Sequence, residues 1–367
     1  MSTSAFDAYR PPQPERRRRF DASKPFSGPK KRKSVGASGD GSREMSMVED
    51  IEFDSYYGRP IVKAPPWKHE IGIYFFLGGV AGGSSLLALG AQARKLPRLR
   101  RNTRITALAA SGVGALALIK DLGRPERFLN MMRTFKITSP MSVGSWILMG
   151  FSSFAAIPAI AEVDRATGSR LPLPRRLLTA AEPVASVGAA ALAAPLATYT
   201  AVLIGDTANP VWNAGRRELP YLFASSASLA ASGVAMVTTP TAEIAPAQKL
   251  AVAGVVGDVA AMHLMKERMH PAEREPLETG KPGKMLKAAE VLAIAGGATA
   301  LLARVHRVFG IASGLMLAGA SALTRFGVLE AGLESTHDPR HVVEPQKARL
   351  AARRAAGITD DSITTAG

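Results

Sequence analysis

Residues 71–93, IGIYFFLGGVAGGSSLLALGAQA, contain no Asp, Glu, Lys, Arg or His. An α-helix needs about 20 mostly apolar residues to cross the hydrocarbon core of a bilayer. Within that core every backbone N–H and C=O must be paired inside the segment, which a helix achieves. The stretch therefore predicts a transmembrane helix and argues against a soluble globular domain here.

Seven further apolar stretches follow along the chain. Three are equally free of charge, namely 137–161, 183–205 and 219–242. Four are shorter or carry charge, namely 105–119, 250–265, 288–303 and 308–324. Arg104 and Lys120 bracket the first of these four, and their long stems can snorkel to the membrane surface. We predict an all-α integral membrane protein with about eight transmembrane helices. In the alternative, six or seven helices cross and one short stretch is re-entrant or interfacial.

The apolar stretches divide the chain into three parts. Residues 1–55 are rich in Pro, Ser, Gly, Lys and Arg, which predicts a disordered basic tail. Residues 56–330 form the predicted transmembrane helical domain, and 331–367 form a polar C-terminal tail. The arginines at 16–19 are followed by polar residues, so no export signal is expected from them.

The formal net charge is +16. Such a balance can indicate nucleic acid, anionic lipid or the cytoplasmic flanks of membrane helices. The basic run KKRK at 30–33 has no stacking aromatics around it, so we predict no nucleic-acid partner and take the lipid bilayer as the surroundings. Lys and Arg are balanced between the loops of the two sides. The two basic tails therefore decide the predicted orientation, with cytoplasmic N- and C-termini.

The chain has no cysteine and six histidines. Disulfides, cysteine-ligated zinc and iron–sulfur clusters are therefore excluded within this chain. A transmembrane haem usually needs two facing histidines from different helices, and only His263 lies clearly inside a predicted helix. We predict no metal site, no haem and no iron–sulfur cluster in this chain.

Two residues could bind a quinone. His69 precedes the first predicted helix, where it can hydrogen-bond a quinone carbonyl and transfer a proton near neutral pH. The alternative is an interfacial histidine that faces lipid headgroups. Tyr199 lies deep in 183–205 and can donate to a quinone carbonyl, or it can simply bond to a helix carbonyl.

Three ionisable residues in or beside later helices are candidates for a proton relay. Asp258 is the only acid well inside a predicted helix, so it either relays protons or pairs with a cation such as Arg325. Glu290 lies nearer a helix edge and is a weaker candidate.

The stretch LIKDLGRPERFLNMM, residues 118–132, leaves an apolar segment through a dense charge cluster. Asp121, Arg124, Glu126 and Arg127 are spaced to form salt bridges within the loop. Ser139 and Pro140 then predict the start of the next helix, with Ser139 as its N-cap and Pro140 at its first position. We predict an ordered loop between two transmembrane helices.

Four stretches, in order over about 56–340, resemble the NrfD-type family, which is the family of polysulfide reductase membrane subunits. These are YYGRPIVKAPPWKHEIGIYFFLGGVAGGSSLLALGA, KDLGRPERFLNMMRTFKITSPMSVGSWIL, YTAVLIGDTANPVWN and RFGVLEAGLESTHDP. The second stretch is the most specific of the four.

The resemblance implies two four-helix bundles in a bacterial plasma membrane. It also implies a bound quinone, menaquinone or ubiquinone, and partners that are an iron–sulfur ferredoxin-like subunit and a molybdopterin catalytic subunit. His69 and Tyr199 match the quinone-binding positions of similar proteins. The partner in the family is often described on the outer face, whereas the tails here favour the cytoplasmic side.

We therefore expect a quinone-binding membrane anchor of a formate dehydrogenase-like or polysulfide reductase-like complex, which is not catalytic alone. The alternatives are a proton- or ion-translocating membrane subunit, which would use Asp258, Glu290 and Arg325, and a passive docking scaffold.

Overall fold

The computed structural model describes residues 60–122, 126, 128–168 and 175–357. The predicted disordered tail at 1–55 lies outside these residues. Across the described residues the regular secondary structure is entirely helical. The helices are α1 His69–Ala93, α2 Pro97–Asp121, α3 Phe128–Met131, α4 Pro140–Ala166, α5 Arg175–Gly205, α6 Pro210–Ala214, α7 Leu219–Thr238, α8 Ala245–Arg268, α9 Pro271–Glu278, α10 Gly280–Leu302, α11 Arg307–Ser335 and α12 Arg340–Ala355.

Eight of these helices cover all or most of the eight predicted apolar stretches, which confirms the all-α fold with about eight transmembrane helices. Seven of them are long and apolar enough to cross a membrane. The exception is α8, whose 24 residues include the charged side chains of Asp258 and Lys266. The carboxyl group of Asp258 makes the composition of α8 less apolar. The side chain is only 4% exposed, so it lies inside the protein.

The eight long helices pack as two four-helix bundles, as the resemblance implied. In the first, α1 contacts α2 and α5, and α4 contacts the same two helices. In the second, α7 contacts α8 and α11, and α10 contacts the same two helices. The bundles meet where α1 packs against α7 and α11. We call the end of the protein at which α1 begins and α2 ends the proximal face, and the other end the distal face.

Small residues allow the helices to approach closely, as the glycine-rich sequences predict. A Cβ atom at Gly82 of α1 would lie 2.6 Å from the carbonyl oxygen of Ala193 in α5. A Cβ atom at Gly233 of α7 would lie 2.6 Å from the carbonyl oxygen of Gly314 in α11, and one at Gly314 would lie 2.5 Å from the carbonyl oxygen of Gly233. Alanine at these positions would push the helices apart.

Helix ends follow local sequence signals. The Ser139 side chain accepts a hydrogen bond from the N–H of Ser142 at 3.4 Å, and Pro140 opens α4, as predicted. At the other end of the chain α11 continues to Ser335, and α12 lies within the segment predicted to be a polar tail. That segment is therefore helical over 340–355.

Candidate functional site

A cavity of about 430 Å³ lies at the proximal face of the first bundle, between α1, α2, α4, α5 and the short α3. Its volume is in the range of small-molecule sites, which is roughly 300–1,000 Å³. Its walls are mostly apolar and aromatic, with a few polar groups. We call it the tyrosine cavity, after Tyr74 and Tyr199 in its wall.

The hydroxyl groups of Tyr74 in α1 and Tyr199 in α5 are hydrogen-bonded to each other, and the ring centroids are 6.2 Å apart. Glycines on neighbouring helices make room for both rings. A Cβ atom at Gly144 of α4 would overlap the ring of Tyr199, and one at Gly114 of α2 would lie 3.3 Å from the Tyr74 ring. Larger residues at these glycines would displace the pair.

The paired phenols give the cavity one directed hydrogen-bond donor. Each tyrosine hydroxyl carries a single O–H and can also accept. When one hydroxyl donates to the other, the second O–H remains free to donate to a ligand oxygen. A carbonyl group that enters the cavity therefore meets a donor held in place by two helices.

Asp121 brings a carboxyl group to the same cavity at the end of α2. Beside it, Lys120 forms an ion pair with Glu70 of α1, with a distance of 3.2 Å between the charged atoms. Lys120 is exposed, as expected for a snorkelling side chain.

Of the predicted loop cluster, Asp121 lines the cavity and Glu126 is exposed. Arg124 and Arg127 lie outside the described residues. The predicted salt bridges within the loop therefore stay a prediction.

His69 is exposed at the first position of α1 and is not among the described residues that line the cavity. The residues of α1 that do line it, Ile71, Tyr74 and Phe75, share one helix face. With 3.6 residues per turn, His69 falls on nearly the opposite side of the helix. The structure therefore brings Tyr199 together with Tyr74, and does not bring His69 to them.

Trp67, two residues before α1, lines the cavity and stacks on Trp212 of α6, with ring centroids 5.4 Å apart. The Trp212 indole N–H donates to the carbonyl of Val328 in α11 at 2.8 Å. The side-chain amide of Asn209 donates to the carbonyl of Gly332 at 2.7 Å. The stretches YTAVLIGDTANPVWN and RFGVLEAGLESTHDP thus contact each other and support one wall of the cavity.

A smaller cavity of about 100 Å³ lies in the second bundle, between α8, α10 and α11. Asp258 and Glu290 both line it, together with Lys266 and Thr324. The Asp258 Oδ1 atom is buried and has no hydrogen-bond partner among the described residues. We call this the aspartate cavity.

Arg325 is fully buried between α1, α7 and α11. Its guanidinium donates to the Phe223 carbonyl at 2.5 Å and to the Ser226 hydroxyl at 3.2 Å, and it lies 4.0 Å from the centroid of the Phe223 ring. Its Nη1 has no partner among the described residues. No Arg325 nitrogen lies within 4.0 Å of an Asp258 oxygen, so the two do not form a direct ion pair.

A buried ionic network lies at the distal face of the first bundle. Arg104 donates to the carboxylates of Glu162 in α4 and Glu182 in α5 at 2.9 and 2.5 Å. Arg165 also pairs with both carboxylates. Arg104 is only 3% exposed, so it does not snorkel, in contrast to Lys120. The carboxylates attract it into the bundle, where it joins α2, α4 and α5.

Sequence reasoning missed Tyr74, Trp67 and the Arg104 network. Tyr74 stands in the charge-free stretch 71–93, where nothing in the sequence marks which face meets α5. For Arg104, a signal was present. Glu162 directly follows the predicted stretch 137–161 and Glu182 directly precedes 183–205, and both positions lie at the same face as the start of 105–119.

These features define a multi-pass helical membrane protein with a cavity at one face of its first bundle. The family model described as polysulphide reductase, NrfD, matches residues 61–262, and the chain belongs to this family. The match covers the whole first bundle with its tyrosine cavity and ends within α8. A comparison with curated proteins found no match.

Proposed function

We propose that this chain is the quinone-binding membrane anchor of a molybdopterin and iron–sulfur oxidoreductase complex. It would pass electrons between a partner's iron–sulfur cluster and the quinone pool of a bacterial plasma membrane. The observation that carries the proposal is the tyrosine cavity, in which a hydrogen-bonded phenol pair lies within mostly apolar walls. Membership of the NrfD family supports it.

The cavity suits a quinone ring chemically. A quinone has a flat apolar ring with carbonyl oxygens that only accept hydrogen bonds. Trp67 and Phe75 supply aromatic surface, on which a flat ring can stack. The free O–H of the Tyr74–Tyr199 pair supplies the donor for one carbonyl.

Reduction of a quinone to a quinol consumes two electrons and two protons, and oxidation releases them. This chain has no cysteine for a cluster, so a partner's iron–sulfur cluster would supply or take the electrons. Asp121 and the tyrosine hydroxyls are titratable groups in the cavity wall that can exchange protons.

The position of the cavity favours a partner on the proximal face, beside the start of α1. The basic tails predict that this face is cytoplasmic. The ferredoxin-like subunit would then dock there, with the molybdopterin subunit beyond it. His69, which is exposed on this face, remains a candidate for proton transfer at the surface.

Quinone binding to the full chain in lipid nanodiscs tests the proposal. Trp67 lines the cavity, so a bound quinone should quench tryptophan fluorescence in a saturable way. Ala115→Phe places a ring in the cavity and should abolish saturable quenching. Ala298→Phe, at an exposed position of α10, is the matched control and should bind as the unaltered chain does.

Two outcomes would contradict the proposal. One is the absence of saturable quenching in the unaltered chain, and the other is unchanged binding in a folded Ala115→Phe variant. In the isolated complex, the same variant should lose quinone turnover but keep electron transfer from the donor to the partner's clusters.

The second candidate function is proton or ion translocation, which the aspartate cavity favours. Asp258 offers a buried, unpartnered carboxylate oxygen to this cavity, and Glu290 lies at its exposed side. Asp258→Asn should then abolish proton movement in vesicles containing the complex while quinone turnover continues. An unchanged ratio of protons to electrons would remove this candidate. A passive scaffold would need neither cavity.

A further inference from the structure

A third cavity, of about 240 Å³, lies on the outer side of the seam between α2 and α4. All its lining residues are apolar. They are Ile105, Leu108 and Ala109 of α2, and Ala159, Ile160 and Val163 of α4. Several are exposed, so the cavity is open to the lipid side of the bundle. We call it the seam groove. Its lining side chains offer no polar group, so it suits only a hydrocarbon chain.

The seam groove is aligned with the tyrosine cavity along α4. Met149 and Ser152 line the tyrosine cavity, and Ala159 and Val163 line the seam groove. Together with Ala156 between them, these residues are three or four positions apart, so they share one face of the helix. The same side of α4 therefore borders both cavities.

The partner helix shows the same alignment. Leu108 of α2 lines the seam groove, and Ala115 lines the tyrosine cavity. Gly112 lies between them on the same face, is exposed, and has no heavy atom within 4 Å of the position of a Cβ. Small residues, Gly112 on α2 and Ala156 on α4, therefore border the part of the seam between the two cavities, and the space beside Gly112 is open.

We infer that the α2–α4 seam binds the isoprenoid tail of the quinone, while the quinone ring occupies the tyrosine cavity. This inference rests on the proposed function. From Ser145 to Val163 the face of α4 runs for roughly 27 Å at 1.5 Å per residue, close to the thickness of the hydrocarbon core. A long tail would lie along the seam, within the bilayer, and leave the protein sideways into the lipid.

The occupant is assigned to the tail because the seam leads to the tyrosine cavity. A phospholipid chain in the seam groove would gain nothing from that alignment, since its headgroup lies at the membrane surface. A quinone tail begins at the ring itself, so it must leave the tyrosine cavity along some apolar path. The seam is such a path, and it is lined by residues of the same two helices.

The test compares a long-tailed quinone with an analogue that carries a single isoprene unit, both titrated into the full chain in nanodiscs. Ala109→Trp fills the seam groove from an exposed position, and Gly112→Leu blocks the seam between the cavities. Each should weaken binding of the long-tailed quinone by about tenfold, which corresponds to 1.4 kcal/mol. Binding of the short analogue should stay within about twofold. Ala298→Trp is the matched control on α10 and should change neither.

Unchanged binding of both quinones in Ala109→Trp and Gly112→Leu would overturn the tail assignment and leave phospholipid as the occupant. Equal weakening of both quinones in both variants would overturn it as well, since the ring site would then be affected. In either case the unaltered chain still binds quinone and the proposed function stands. Absence of quinone binding in the unaltered chain would instead overturn the proposed function, and the tail assignment with it.

Discussion

The hydroxyl of Tyr74 is hydrogen-bonded to that of Tyr199, 125 residues later in the chain, and both tyrosines line one cavity. The bond joins α1 to α5 and leaves one of the two O–H groups free to donate. The hydrogen bond between the two phenols helps to hold both hydroxyl groups in place. The pair is therefore the unit that would recognise a ligand carbonyl.

We predict that Tyr199→Phe and Tyr74→Phe each weaken quinone binding by up to about tenfold, because each change removes the hydrogen bond that holds the remaining phenol in place, and a net hydrogen bond is worth about 0.5–1.5 kcal/mol. The double variant should be little worse than either single one, since each single change already breaks the pair. Binding titrations measure this, with Tyr221→Phe, at an exposed position of α7, as control. Fully additive losses would show that the two tyrosines act independently.

Gly144→Ala should disturb the same pair from a neighbouring helix. The new Cβ would overlap the Tyr199 ring, so the tyrosine or α4 must move. Such overpacking typically costs about 1–3 kcal/mol, which should lower the melting temperature in detergent and weaken quinone binding.

Gly90→Ala is the control for this change, because a Cβ at Gly90 meets no heavy atom within 4 Å. Replacing a glycine within a helix by alanine stabilises the folded protein by about 0.5–1 kcal/mol. The control should therefore melt at the same temperature or higher. If Gly144→Ala has the same melting temperature and quinone affinity as Gly90→Ala, the Tyr199 ring does not pack closely against Gly144.

The contrast between Tyr199 and Tyr74 shows how far the sequence alone leads. Eight helices could be predicted because four charge-free stretches are long enough to cross a bilayer and four further stretches are mostly apolar. Whereas the stretch predicted to end at 242 leaves its helix at Thr238, several ends were predicted short, since α5 begins at Arg175 rather than 183 and α11 ends at Ser335 rather than 324. The reason is that a helix continues past the hydrocarbon core, where its sequence becomes polar again.

The site was less predictable than the helices. Tyr199 was a candidate from its position deep in an apolar stretch and was strengthened by family resemblance, whereas Tyr74 and Trp67 became visible only when the packing of α1 was known. A charge-free helix has no amphipathic pattern that tells which face meets which neighbour. His69 was chosen for its position at the start of α1. Each residue step turns a helix by about 100°, so a residue near the cavity along the chain can still lie on a face that does not line it.

Trp212→Phe should loosen the wall of the cavity from a distance. Trp212 is fully buried, and its N–H donates to the Val328 carbonyl at 2.8 Å while its ring supports Trp67. Phenylalanine keeps an aromatic ring but removes the donor, which costs about 1–3 kcal/mol at a buried position. We expect a lower melting temperature and weaker quinone binding.

The control for Trp212 is Trp146→Phe, because the Trp146 N–H makes a longer bond, at 3.4 Å, to the Thr134 carbonyl in a more exposed setting. This change should have a smaller effect on the melting temperature. Equal effects of the two changes would show that the contact between α6 and α11 does not stabilise the cavity wall.

In the distal network, Arg104 is buried and Arg100 is more exposed, so replacing each in turn separates their contributions to stability. Arg104→Met leaves Glu162 and Glu182 with fewer cations in a buried setting, and breaking a buried ion pair costs about 3–5 kcal/mol. Arg100→Met removes a more exposed partner of Glu162, which is typically worth about 0–1 kcal/mol. Arg104→Met should therefore lower the melting temperature in detergent more than Arg100→Met does.

The pH dependence of the Arg104→Met defect provides a second readout. Lowering the pH protonates Glu162 and Glu182 and removes the uncompensated negative charge, so the difference in melting temperature between the variant and the unaltered chain should shrink. A simple loss of packing would leave that difference constant with pH.

Because the network lies at the distal face, quinone binding at the proximal cavity should persist wherever the variant remains folded. A constant difference together with lost binding would mean that Arg104 acts on the whole bundle rather than through its two carboxylates.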